Sequence, residues 1–467
     1  MKRLCFTLLL FFALVFPSNV RADVSPPIFP PGSNPQPGAE VTQVRMVAET
    51  VVIAVLNDFD PDSLGHARVT ADFTMQNLST EDERLAVRFP IASDDGRGNY
   101  PEIKNLSITV NGNQALYRRV DYPDINYPDN YIVPWAEFDV TFPVGQDISI
   151  HVAYDLEGSG YYPFTAFYYV LETGAGWKDT IGSADVILRL PYEATPQNVI
   201  MNVQIGWAET TPGGVFEGNE VHWHFDDFEP GENRPVQNME FALVAPSAWQ
   251  MVLIAQANVA QSPNDGEAWG LLARAYKQAF SMNKGYREDA GGQELYQLGV
   301  EAYEKCLSLK PNDAQWHAGF ADLLATRAMW DSWEPGTTTP EMYQALSEIH
   351  TALQLDPNDP VVQEIATNMT YMLTGRIIRN GDSFDFPGLT QTPTATTRPS
   401  PTPTIAPVVE LTGTPLAIQT DTPPAILAQA NSTQANPTPA SPGASPICGS
   451  AAFLPLIVII WMTRKRR

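Results

Sequence analysis

Three groups of side chains in this sequence have the types and spacings that could do chemistry. Asp58, Asp60 and Asp62 alternate ahead of Ser63-Leu64-Gly65, and closely spaced carboxylates supply the converging oxygens that calcium requires. The glycine falls two positions late for a calcium loop and no bidentate Glu closes it, so a solvated turn between strands accounts for the same residues. His222, His224 and Asp226 share one face of a strand, a spacing that suits zinc or copper. Trp223 and Phe225 on the other face explain that strand by burial alone, and no third strong ligand is identifiable. Tyr117, Tyr122, Tyr127, Tyr131 and Trp135 are interleaved with Asp121, Asp124 and Asp129. Flat rings beside carboxylates can stack on and hydrogen-bond to sugars, but a loop pinned by Pro123 and Pro128 explains the same pattern.

No nucleophile, phosphate loop, His-Glu-x-x-His or nucleophile elbow accompanies them. Ser281-x-x-Lys284 has the spacing of a serine–lysine pair without its companion motifs. No catalytic residues, no cofactor and no enzymatic activity are therefore expected.

The elements that must position these residues change character along the chain. Residues 41–246 read as an antiparallel β-sandwich region. Val44, Met46, Ala48, Thr50 and Val52 alternate with Gln43, Arg45, Val47 and Glu49, and Leu106, Ile108 and Val110 run into the hairpin signal Asn111-Gly112. About 200 residues is large for one sandwich, so two lobes, 41–157 and 161–246, with a seam at Gly158-Ser159-Gly160, are an alternative. The stretch Tyr169 to Trp177, Ile181 and the strand Ala184 to Pro191 resemble uncharacterised bacterial surface β-domains. That resemblance implies no particular activity.

From residue 247 to 376 the hydrophobic period becomes 3.6. Pro-Asn-Asp recurs at Pro263, Pro311 and Pro357, about 47 residues apart, the mark of an internal repeat. Each proline stops one helix, and the Asp or Asn side chain can accept from the free amides that open the next. Trp269, Leu272, Ala273 and Tyr276 form one helix face; His317, Phe320, Ala321 and Leu324 form its counterpart. The Trp-x-x-Leu-Ala-x-x-Tyr of Trp269 to Tyr276 and the Asp-Pro-Asn-Asp of Asp356 to Asp359 resemble the tetratricopeptide repeat family. Each unit carries about a dozen residues more than the family repeat, at Met282 to Gly292 and Asp331 to Pro340. The resemblance implies helix pairs with a protein-binding concave face, on which Trp269, Tyr276, Trp316 and His317 are the candidate contacts; helix-packing core is the competing reading.

Both termini read as export signals. Lys2-Arg3, the apolar run Leu4 to Phe16 and Val20-Arg21-Ala22 make residues 1–22 a signal peptide, followed by a proline-rich linker at 23–40. Residues 377–446, dense in Thr, Pro and Ser, read as a disordered stalk. Residues 447–467 place Cys448-Gly449-Ser450 before an apolar segment and Arg464-Lys465-Arg466-Arg467. That layout resembles prokaryotic C-terminal sorting signals, with Cys448 and Gly449 in the motif, and equally fits a plain single-span anchor with a cytoplasmic C-terminus. A net charge of −25 over 467 residues repels phosphate and excludes nucleic acid as a partner. Of three cysteines only Cys306 falls in the folded part, so no disulfide supports it; its helix position marks it as a small apolar contact. The expectation is a non-enzymatic cell-surface protein, tethered to the membrane on a stalk, whose helices bind an unknown protein. The alternative is a carbohydrate- or ligand-binding module centred on Tyr122, Tyr127, Tyr131 and Trp135.

Overall fold

The computed structural model describes residues 36–37, 42–57, 60, 63–92, 102–123, 132–171, 174, 176–201, 204–205, 208–230, 238–280, 289–331 and 339–390. The first half is β. In chain order the strands are β1 (Gln36–Pro37), β2 (Val44–Val55), β3 (His66–Asn77), β4 (Glu83–Pro90), β5 (Lys104–Val110), β6 (Asn113–Gln114), β7 (Arg118–Pro123), β8 (Ile132–Phe142) and β9 (Asp147–Glu157). Then come β10 (Phe164–Tyr169), β11 (Ile181–Arg189), β12 (Gln204–Ile205), β13 (Ala208–Glu209), β14 (Val215–Glu217), β15 (Glu220–Phe228) and β16 (Met239–Val244).

An eight-stranded sheet of order β14-β15-β11-β2-β3-β9-β5-β6 and a four-stranded sheet of order β1-β4-β8-β7 contribute to one buried core, with β10 paired to β16. Phe73, Phe89, Phe138, Phe142, Tyr154 and Phe241 are among its fully buried rings, each stabilising the fold by about 1.5–3 kcal/mol through removal from water. The Asn111-Gly112 turn joins β5 to β6 with φ of 50° and 73°, the left-handed pair that a two-residue hairpin demands.

Four expectations are corrected by this architecture. The sheet is not purely antiparallel, because β11 runs parallel to β2, Val186 opposite Val51. The two-lobe alternative does not hold either: strands from both sides of Gly158–Gly160 share the large sheet, β2 lying between β3 and β11. The alternation along β2 inverts at a bulge between Met46 and Ala48. One extra residue there turns Glu49, Val51, Ile53 and Val55 inward instead of Ala48, Thr50 and Val52. Glu49 consequently sits in the core, accepting a hydrogen bond from the Tyr169 hydroxyl at 3.0 Å. Finally, the proline-rich entry contributes to a sheet: Gln36 pairs with Arg88 and Pro37 with Val87, an edge position where the missing proline N–H costs nothing.

The second half is helical: α1 (Pro246–Gln261), α2 (Gly266–Phe280), α3 (Ala290–Leu309), α4 (Ala314–Asp331), α5 (Pro340–Leu355) and α6 (Pro360–Met372). Within the units, α2 packs on α3 and α4 on α5; α4 also contacts α3 and α6. The Pro-Asn-Asp junctions work as their residue types require. The backbone N–H groups of Trp269, His317 and Gln363 bond the carbonyls of Asp265, Asp313 and Asp359. The aspartate side chains accept from Glu267, from Trp316, and from Val361 and Val362 respectively.

Helices and sandwich are continuous. β16 passes into α1 through Ala245 alone, whose N–H bonds the Pro163 carbonyl at 2.7 Å. Phe164, Ile200, Ala242 and Val244 of the β-half share a buried cluster with Ala248, Trp249 and Val252. Gly291, opening α3, lies against the backbone of Pro196, so closely that a Cβ would stand 1.8 Å from the carbonyl oxygen. The expectation of a disordered stretch beginning at 377 is corrected as well. Residues 377–390 are ordered against the helices: β17 (Ile378–Asn380) and β18 (Ser383–Asp385) form a hairpin. Phe384, Phe386 and Leu389 then pack on the helical core. These three apolar residues attach the segment to the helices.

Candidate functional site

The four helical candidates are consumed by the fold. Tyr276 is buried, its hydroxyl accepting from Gln256 at 2.9 Å. Trp316 is 3% exposed; its Nε1 donates to Glu267 at 3.2 Å, and the Arg274 guanidinium lies 4.6 Å from its ring. Trp269 and His317 occupy equivalent places six residues after their prolines. Trp269 Nε1 bonds the Pro263 carbonyl at 2.8 Å and His317 Nε2 the Pro311 carbonyl at 3.0 Å. In the third unit Gln363 Nε2 bonds the Pro357 carbonyl at 2.7 Å. An aromatic amine, an imidazole and an amide thus perform one task, tying the incoming turn to the second turn of each helix. The reading of Tyr276 and Trp316 as partner contacts is corrected, because both are buried in the helical core; Trp269 and His317 are partly exposed and serve as turn ties.

The β-candidates divide. Tyr127 and Tyr131 lie outside the described residues. Tyr122 and Trp135 are on one face of β7 and β8, around Glu137, which is 5% exposed. Arg88 Nε donates to Glu137 at 2.8 Å, the Tyr122 hydroxyl donates at 3.1 Å, and Arg118 pairs with the same carboxylate. The Arg88 guanidinium also lies 3.9 Å from the centre of the Tyr122 ring. Burial opposes ionisation of Glu137, but the bonds from Arg88 and Tyr122 and the Arg118 charge outweigh it and hold the carboxyl below its ordinary range. Hydroxyl and ring of Tyr122 are both engaged internally, which corrects its assignment as a free sugar platform; Trp135 remains half-buried beside it.

Of the calcium candidates only Asp60 is described; it is exposed, and its carbonyl accepts from Ser63 N–H at 3.0 Å. Asp58 and Asp62 lie outside the described residues, as do Cys448, Gly449, Ser281 and Lys284. The two strand histidines pair with carboxylates. His222 Nε2 is 2.8 Å from Glu220; His224 is 2.6 Å from Asp185 and 3.2 Å from Asp226, and the hydrogen bond to Asp185 raises its pKa. Among the described residues no three His, Cys, Asp or Glu side chains converge as a metal site, and no helix is long and apolar enough to cross a membrane. Burial pushes the Cys306 thiol up to about 12, so it has the character of a core residue, not a nucleophile.

Among the side chains that the helices leave open are several large apolar ones. Met251 (53% exposed) and Ile254 (45%) on α1, and Leu271 (41%) on α2, are large side chains left open. Sequence periodicity had no means of selecting them, because α1 and α2 carry apolar residues on several faces and only the packing shows which remain uncovered.

No family model matches the chain, and no curated protein matches it. Among solved structures it is similar to a Legionella pneumophila protein put forward as nutrient-binding. The identity is 18% over 69% of this chain and 98% of the other, with a TM-score of 0.39. It is also similar to an M1 zinc metallopeptidase of Deinococcus radiodurans, at 8% identity over 73% of this chain and 96% of that one, with a TM-score of 0.24. At scores this low neither likeness assigns a fold or an activity.

Proposed function

We propose that this chain is a non-enzymatic protein of the cell exterior whose tetratricopeptide-like helices bind another protein, the sandwich serving as their rigid mount. The observation that carries the reading is the open apolar set Met251, Ile254 and Leu271 on the first two helices of a repeated array. Stacked helical repeats create extended surfaces suited to protein partners, and Met251 and Ile254, three residues apart on α1, stand on the same side of that helix. The leader-like and anchor-like ends support an exported, tethered location.

Photocrosslinking tests this. A benzoylphenylalanine at position 251, 254 or 271 of the full chain, in the cell that makes it, is expected to yield one common protein adduct. The adduct should be lost when one of the other two positions is changed to Glu. The same probe at exposed Thr141 or Ser149 of the sandwich is expected to yield none. Silent helix positions would refute the reading, and glycan retention that fails in Trp135→Ala would replace it with the sugar-binding alternative.

A further inference from the structure

His317 sits where α4 meets α5, at the middle of the helical array. Its Nδ1 is 2.6 Å from Glu348 Oε2 on α5, and its Nε2 is 3.0 Å from the Pro311 carbonyl oxygen. Both partners present lone pairs. A carbonyl can only accept, and so can a carboxylate, so a ring that satisfies both must carry a proton on each nitrogen. The pair is largely shielded, with the side chains 13% and 20% exposed. The equivalent positions in the flanking units, Trp269 and Gln363, make the same bond to their proline carbonyls with groups that do not titrate. Only the middle unit places an ionisable group in this role.

We infer that His317 is a pH-responsive staple: its doubly protonated ring ties α5, through Glu348, to the Pro311 turn that opens α4. Loss of a proton leaves one N–H for two acceptors and so weakens that junction, while the other two units, which carry no titrating group there, are unaffected. The charged groups that act on it are Glu348 on α5 and Asp313 at its own cap; Lys310 at the end of α3 and Asp359 at the start of α6 are paired elsewhere. Lys310 is held by Asp313 and Glu267, and Asp359 by Gln315 and backbone amides. The hydrogen bond to Glu348 outweighs the opposing effect of burial and raises the imidazole pKa, with the Pro311 carbonyl and Asp313 adding to it. A raised folded pKa means that the stabilisation is complete below the unfolded value of about 6.5 and is lost as pH climbs through the folded value. The junction is therefore tight in mild acid and looser in mild alkali, whatever the helices bind.

Hydrogen exchange on the full chain at pH 6 and pH 8, corrected for intrinsic rates, reads this directly. In the wild type, protection across α4 and α5 is expected to be lower at pH 8 than at pH 6, with α2 and α6 unchanged. In His317→Gln, which retains the donor to Pro311 as Gln363 does in its own unit, protection is expected to be the same at both values. An equal pH response in His317→Gln would overturn the inference. Nitrogen correlation spectra of the wild-type imidazole provide a check that needs no variant: both nitrogens protonated at pH 6 is the expected pattern, and a neutral ring there would sink it.

Discussion

Trp316→Ala is expected to destabilise the protein by about 3–5 kcal/mol, the range for removing a large buried aromatic side chain. The indole lies between α2 and α4, where Gly270 leaves it room; a Cβ at Gly270 would come within 2.4 Å of the ring. Its other neighbours are the Tyr303 ring, centroids 6.5 Å apart, the Arg274 guanidinium and the Glu267 carboxylate. Alanine would leave a cavity between the first helices of two units and strand Glu267 with one fewer donor. Urea unfolding followed by far-ultraviolet circular dichroism measures the loss. Were Trp316 a partner contact instead of core, the change would stay within about 0.5 kcal/mol, as for ordinary surface substitutions. Leu271→Ala, on the open face of α2, is the matched control and is expected to fall in that small range.

Gly291→Val carries the second large effect. The Cβ it would add stands 1.8 Å from the Pro196 carbonyl oxygen and 2.3 Å from the carbonyl carbon. Backbone cannot swing aside as a flexible side chain can, so α3 must lift from the sandwich. The helix start is already committed there: Asp289 is buried and accepts from Gly292 N–H at 2.8 Å. Overpacking costs about 1–3 kcal/mol, and a clash with backbone places this one at the upper end. The expected result is a lower urea midpoint together with new proteolytic cleavage near residues 192–200, where Tyr192 packs beside Trp249. An unchanged midpoint and cleavage pattern would mean that the helices do not bear on the sandwich at this point.

The sequence announces the helical half more clearly than the β-half, for a physical reason. Pro-Asn-Asp acts locally: proline stops a helix and aspartate caps the next within a few residues, so Pro263, Pro311 and Pro357 mark their junctions without tertiary knowledge. The staple behind them was invisible, because Trp269, His317 and Gln363 share only an N–H donor and no side-chain similarity. In β2 the inversion at Val47 depends on how β3 pairs, a non-local matter, although the adjacent apolar pair Val47-Ala48 is the trace it leaves in the sequence. The Arg88–Glu137–Arg118 set joins three strands and could not be read from any one of them. Tyr122 was legible as an aromatic in a loop-rich stretch, but whether its hydroxyl met a ligand or Glu137 was settled by register. The junction at Gly291 is likewise long-range: glycine at a helix start reads as an ordinary weak cap until Pro196 is placed against it.

Unfolding of the intact protein, followed at once by tryptophan fluorescence and by helical circular dichroism, addresses whether sandwich and helices are one cooperative body. Trp177 and Trp223 are buried in the β-half, Trp249 at the junction and Trp316 in the helices, so fluorescence follows both halves, while the circular dichroism signal comes from α1 to α6. A single coincident transition is predicted, together with failure of residues 246–390 to fold when made alone, since α1 would then expose Trp249 and Val252. Two separated transitions, or a stably folded isolated helical segment, would contradict it.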